Sequence, residues 1–301
     1  MKQPLERPNP LPREGEGTGD APRFKPSRAR GGRGRLHRAV AALLTGLFVA
    51  LAAAPSPAAD DKPEDPEARA IVDRMDRRTR GESNRGHASM TITRPSWTRT
   101  LEMDYWARGL DLTFVRITAP AKERGVGSLQ IAREMWNYLP KVDRTIRIPP
   151  SLMGQAWMGS DFTNDDFIKQ SSIVVDYTHR FKDKDATIDG APAWVIESTA
   201  REDAAVVWGK LLWAVRKKDD NPIYQEFFDE HGELIKKMTF SDLRPAPDGK
   251  DSTRVVPMRM EMVSVVEPDH KTVLEYSELL FNEPIDDAVF TLQNLERVRR
   301  R

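Results

Sequence analysis

Five histidines, His37, His87, His179, His231 and His270, are the residues best suited to proton transfer or metal ligation in this chain of 301 residues. No two of them lie at metal-ligand spacing, and no H-E-x-x-H occurs. Met158-Gly159-Ser160-Asp161 departs from the G-x-S-x-G nucleophile elbow, and neither a P-loop nor G-x-G-x-x-G is present. Asp165 and Asp166 are adjacent, so on a helix they diverge and read as first-turn charges. The absence of cysteine removes thiol catalysis, disulfides, cysteine metal sites and a lipidated cysteine. With no nucleophile–base pairing in view, the chain reads as a non-enzyme that needs no cofactor.

What remains is the chemistry of binding. Seven tryptophans are spread along the chain, accompanied by methionines such as Met90, Met103, Met135, Met153, Met158 and Met238. Met258, Met260 and Met262 fall on one strand face, with Arg259 and Glu261 opposite. Most such residues build an ordinary core. An acyl chain, however, gains about 0.8 kcal/mol per buried CH₂, so a dry cavity alone holds a lipid without catalysis.

The elements that position these residues centre on Trp136–Phe167. A strand to Leu139 places Met135 and Asn137 on one face and Trp136 and Tyr138 on the other. Pro140 ends it, and a second short strand, Arg144 to Ile148, stops at Pro149 and Pro150. A loop with Leu152, Met153, Trp157 and Met158 follows, made pliable by Gly154 and Gly159. Ser160 to Phe167 reads as a capped helical turn, with Ser160 or Thr163 as the N-cap. Two readings of the loop stand side by side: core that folds back, or an adaptable apolar lid over a cavity.

Upstream, Asp65-Pro66-Glu67 predicts a helix start, and Ala68, Ile71, Val72 and Met75 give that helix one apolar face to about Arg80. From Gly86 to Leu280 the period is two, in about a dozen runs. Asp189-Gly190, Asp229 to Gly232 and Asp248-Gly249 mark turns among them. Asp286 caps a last short element that ends near Leu295. The pattern predicts one strongly curved antiparallel sheet, mainly β, with the N-terminal helix on its concave face. A single helix covers only part of such a face, so an apolar cavity is expected there. Periodicity alone does not distinguish an open from a closed barrel.

W-N-Y-L-P-K-V-D-R-T-I-R-I, followed by M-G-S-D-F-T-N-D-D-F, resembles the outer-membrane lipoprotein-sorting protein family, relatives of LolA and LolB. N-P-I-Y-Q-E-F-F-D-E-H-G-E-L-I-K-K, V-V-P-M-R-M-E-M and F-N-E-P-I-D-D-A-V-F-T-L-Q-N-L extend the resemblance over roughly Pro66 to Leu295. It implies an unclosed half-barrel with helices as a lid. The helix Pro66–Arg80 and the segment Leu152–Phe162 would then flank the mouth. It also implies a periplasmic carrier of acyl chains, from lipoproteins or related lipids, toward the outer membrane. Implied partners are an inner-membrane transporter and an outer-membrane acceptor; an accessory subunit of a lipid exporter is the alternative. The candidate ligand-binding residues of cavity and lid are Met90, Met103, Trp136, Leu152, Met153, Trp157, Met158, Phe162, Met258 and Met260.

The N-terminus reads as a leader. Residues 1–27 lack periodicity and are rich in Pro, Gly and charge, the composition of a disordered stretch or of a start codon placed too early. In 28–58, a basic run precedes the uncharged Ala39–Ala54, and Ser56-Pro57-Ala58 offers small residues before a cut after Ala58. A polar linker, 59–65, leads into a single carrier domain, 66–301. Residues 1–58 hold 10 Lys/Arg and 4 Asp/Glu, which leaves 37 and 42 for the remainder. That remainder is mildly acidic, with no electrostatic footprint for nucleic acid.

Overall fold

The computed structural model describes residues 63–168, 173–251 and 253–297, all within one compact unit. The leader and its cleavage site lie outside the described residues. Helix α1 spans Pro66–Arg80. Asp65 caps it by accepting from Glu67 N at 2.9 Å and Ala68 N at 3.3 Å, and Pro66 occupies the first turn, where its missing N–H costs nothing. Ala68, Ile71, Val72 and Met75 are buried, as their spacing predicts. Gly81 ends the helix with φ +65°, and the Arg254 guanidinium donates to the carbonyls of Arg77, at 3.1 Å, and Arg78. A cation there also complements the helix dipole.

Thirteen strands follow: β1 (Ser83–Arg94), β2 (Trp97–Arg108), β3 (Leu112–Ala119), β4 (Gly127–Ile131), β5 (Glu134–Leu139), β6 (Arg144–Ile148), β7 (Tyr177–Ile188), β8 (Ala191–Ala200), β9 (Lys210–Arg216), β10 (Pro222–Phe228), β11 (Leu234–Pro245), β12 (Val255–Ser264) and β13 (Lys271–Phe281). They form one antiparallel sheet in the order β6-β5-β4-β3-β2-β1-β13-β12-β11-β10-β9-β8-β7. Two meanders therefore meet along the β1–β13 ladder. Strands β6 and β7 are the free edges, so the sheet is not closed into a barrel. Arg144 and Arg147 on β6, and Lys182 and Lys184 on β7, put charge on those edges, which discourages strand addition.

Period-two alternation sorts the side chains between two faces. One face carries Met90, Ile92, Leu101, Met103, Val115, Met135, Trp213, Phe227, Met260 and Met262, and α1 packs into the same core. On the other, Phe114, Leu129 and Tyr138 meet Phe290 and Leu295 near the C-terminus. The short helix α3 (Leu292–Glu296) is held there by Arg116, which donates to Asn294 O at 2.7 Å and Leu295 O at 2.8 Å. Burial pulls the Arg116 guanidinium down to about 10. Val115 on β3 and Leu211 on β9 line one common cavity. In a flat sheet these strands, seven places apart, would be separated by roughly 33 Å. The sheet is therefore strongly curled around the α1 face.

Candidate functional site

The chain must travel from the edge strand β6 to the opposite edge strand β7, and residues 149–176 make that journey. Their described part is a strap across the α1 face. It folds back on itself: Asp165 N donates to Met153 O at 3.0 Å, Asn164 N to Gln155 O at 2.8 Å and Trp157 N to Phe162 O at 2.8 Å. The short helix α2 (Asn164–Ile168) begins at a reciprocal cap. Thr163 Oγ1 accepts from Asp166 N at 3.0 Å, and Asp166 Oδ2 accepts from Thr163 N at 2.9 Å. Of the two expected caps, Thr163 is the one used.

The same motif fastens the strap to both halves of the sheet. Asp161 receives Arg94 of β1 at 2.9 Å and the Thr272 hydroxyl of β13 at 2.6 Å. Arg94 also donates to Gly159 O at 2.8 Å. Lys236 of β11 pairs with Asp166 and donates to Asp161 O at 2.9 Å. Trp208 Nε1 donates to Asp166 Oδ1 at 2.7 Å. Trp157, 2% exposed, donates from Nε1 to Ser128 Oγ of β4 at 3.0 Å. A segment expected to be pliable is instead fixed by buried ion pairs, and the capped turn at its end carries the anchors. Asp161 and Asp166 are tether points, which for Asp166 goes beyond its reading as a first-turn charge.

Between strap, α1 and sheet lies a cavity of about 230 Å³. Its walls are mostly apolar: Met103, Leu211, Trp213, Phe227, Met238 and Met260 are among them. Near the C-terminal end of α1 the lining turns polar, with Asp76, Arg80, Asn84 and the turn at Gly109-Leu110. A second cleft, about 570 Å³, shares Asp76, Arg80, Gly109 and Leu110, so the cavity opens toward the surface beside that helix end. Arg80 and Asp76, one helical turn apart on α1, form an ion pair at 2.6 Å in its wall. Burial raises the Asp76 carboxyl, with Arg80 acting against that rise. The rings of Tyr105 and Tyr276 stand 5.5 Å apart in the wall. Burial lifts both phenols, Tyr276 to about 12.

Of the ten candidate residues, the structure brings Met103, Phe162 and Met260 to the cavity. The others do not line it. Trp136 faces the opposite side, among Phe114, Leu129 and Tyr138. The alternation that points Met135 into the main core requires this. Met90 is completely buried in the main core. Met258 is on the same strand face as Met260 but tucks into a satellite cluster with Val256, Leu279 and Phe281. Trp157 is core rather than lid, because its ring is buried and its N–H is used inside. Leu152, Met153 and Met158 are half-buried parts of the strap, the last two packed on the main core. Trp208, Trp213, Gln225, Phe227 and Met238 were missed. Period two puts Trp213, Gln225 and Met238 on one face of adjacent strands, but which strands meet across a cavity depends on the curl.

The residues most suggestive of catalysis sit elsewhere. His179 Nδ1 and Ser198 Oγ are 2.8 Å apart, both completely buried and neither lining the cavity. Burial lowers the His179 imidazole to about 4, so it is neutral at pH 7. Among the described residues no cluster of His, Asp and Glu is placed to hold a metal ion. No described helix is long and apolar enough to cross a membrane.

A family model described as "Uncharacterized protein" matches residues 109–297, more than half of the chain. The chain belongs to this family. Its fold recurs in solved structures. A candidate outer membrane lipoprotein-sorting protein domain from Vibrio parahaemolyticus is 21% identical, with a TM-score of 0.68; the match covers 77% of this chain and 99% of that one. A DUF1329 family protein from Desulfovibrio piger is 21% identical, TM-score 0.70, covering 78% and 100%. A LolA superfamily protein from Nitrosomonas europaea is 24% identical, TM-score 0.63, covering 75% and 98%. The open, mainly β architecture expected from the sequence is thus the one these structures share. No curated protein matches the chain.

Proposed function

We propose that this protein is a non-enzymatic periplasmic carrier that shelters the acyl chains of lipoproteins or related lipids on their way toward the outer membrane. It would collect them from an inner-membrane transporter and yield them to an outer-membrane acceptor. The leader would be removed after Ala58, leaving the linker 59–65 and one carrier domain. The observation that carries this reading is the apolar cavity of about 230 Å³ enclosed by α1, the strap and the curled sheet. Its size suits part of an acyl chain rather than a whole lipid, and burying methylenes there gives roughly 0.8 kcal/mol each. Likeness to a lipoprotein-sorting domain and to a LolA superfamily protein supports the reading at the level of fold.

The test is mass spectrometry of organic extracts from protein expressed with its leader and purified folded from the periplasm. Acyl lipid is expected at near-stoichiometric amounts, on a chain whose N-terminus begins at or near Ala59. Folded protein that yields no lipid, and that takes up no neutral fluorescent probe, would overturn the carrier reading.

A further inference from the structure

The charges in the cavity wall are predominantly acidic. Asp76, Asp165 and Asp166 line it, against the single lining cation Arg80. Arg80 is committed to Asp76 at 2.6 Å, and both are largely buried. Lys236 is held from the side by Asp166 and the Asp161 carbonyl. An anionic headgroup drawn inside would therefore meet carboxylates and no uncommitted cation among the described lining residues. Burying a charge without a partner is strongly unfavourable.

The apolar wall nevertheless contains a neutral polar group. Gln225 of β10 is 5% exposed and lines the cavity, and its side-chain amide has no hydrogen-bond partner among the described residues. In register it faces Trp213 of β9 and Met238 of β11, both also lining the cavity. An amide that faces the cavity can take a ligand's polar group as its partner, where an aliphatic side chain would offer none. Two unspent donors and an acceptor in a wall without free charge suit a neutral carbonyl.

We infer that the cavity selects acyl compounds whose polar group is an uncharged carbonyl, ester or amide, and discriminates against ionised fatty acids, with Gln225 Nε2 donating to that carbonyl oxygen. The inference rests on the acyl-carrier reading and specifies which acyl compounds the same cavity takes. The lack of an uncommitted cation among the described lining residues supplies the rejection, and Gln225 the recognition.

Displacement of the neutral probe N-phenyl-1-naphthylamine from the mature protein tests it, with methyl oleate, oleamide and sodium oleate as competitors at pH 9. The three share one chain and differ in the head. Methyl oleate and oleamide are expected to displace the probe at concentrations at least tenfold below oleate. Gln225→Leu should weaken the two neutral competitors about fivefold, the loss of one hydrogen bond, and leave oleate unchanged. Oleate that competes as well as the ester, or ester affinity unaffected by Gln225→Leu, would overturn the inference while leaving the carrier reading intact. If the variant does not fold, the ester-to-oleate ratio on the native protein decides. A protein that binds neither probe nor competitor overturns the carrier reading itself.

Discussion

His179 shows how burial alone sets a residue's behaviour. Its ring is completely enclosed, bonded to Ser198 at 2.8 Å, and lowered by burial to about 4, with Glu64 acting in the opposite direction and Arg69 and Arg201 adding to the fall. The unfolded chain binds a proton on this histidine below its ordinary 6.5, while the folded chain does so only near 4. The stability held by the neutral ring is thus complete above pH 6.5 and is lost as pH falls from 6.5 to 4, by at most about 3 kcal/mol. Urea midpoints measured across that range should fall with pH in the native protein. His179→Gln, which keeps a partner for Ser198, should flatten the slope; an unchanged slope would assign the acid sensitivity to other groups. At this scale the sequence was only partly legible. Period two placed Met103 and Met260 on the cavity face and should have placed Trp136 on the other. Packing decides between core and cavity, and alternation carries no information on that choice.

At the scale of elements, α1 was legible to the residue, because Asp65-Pro66, the Ala68–Met75 stripe and Gly81 each act locally. The Asp189-Gly190 hairpin was legible for the same reason: both residues adopt the positive φ, +51° and +78°, that such a turn requires. The outer half of β7, Lys182 to Ile188, was not, since its charged side chains are largely exposed and show no apolar alternation. The sequence left the strap between core and lid because its anchors, Arg94, Ser128, Lys236 and Thr272, come from strands distant in sequence. Trp157→Ala should therefore destabilise the protein by roughly 3–5 kcal/mol, the cost of an emptied core site. Affinity for the neutral probe per folded molecule should stay unchanged, because Trp157 does not line the cavity. A paired melt and binding titration checks both. A small loss of stability with weakened binding would return the segment to a lid.

At the scale of the whole molecule, the period-two runs announced an antiparallel sheet but not its ends. Whether β6 pairs with β7 is a question of curl that periodicity leaves undecided; the resemblance implied an open sheet, and the strand order shows one. That order has a mechanical consequence. The meander β1–β6 and the meander β7–β13 share the β1–β13 ladder, and the strap ties Arg94 and Ser128 in the first to Lys236 and Thr272 in the second. The main core also draws on both, from Met90 and Met103 to Trp213 and Met262, with α1 between. Neither meander retains a closed apolar face without the other, so the two should unfold together. Far-UV circular dichroism, which follows the sheet, and tryptophan fluorescence, to which Trp106 and Trp136 in one meander and Trp194 and Trp213 in the other contribute, should trace one coincident transition in urea. Two separated transitions, one of them insensitive to Asp161→Asn, would mean that the meanders are independent units and that the strap only connects them.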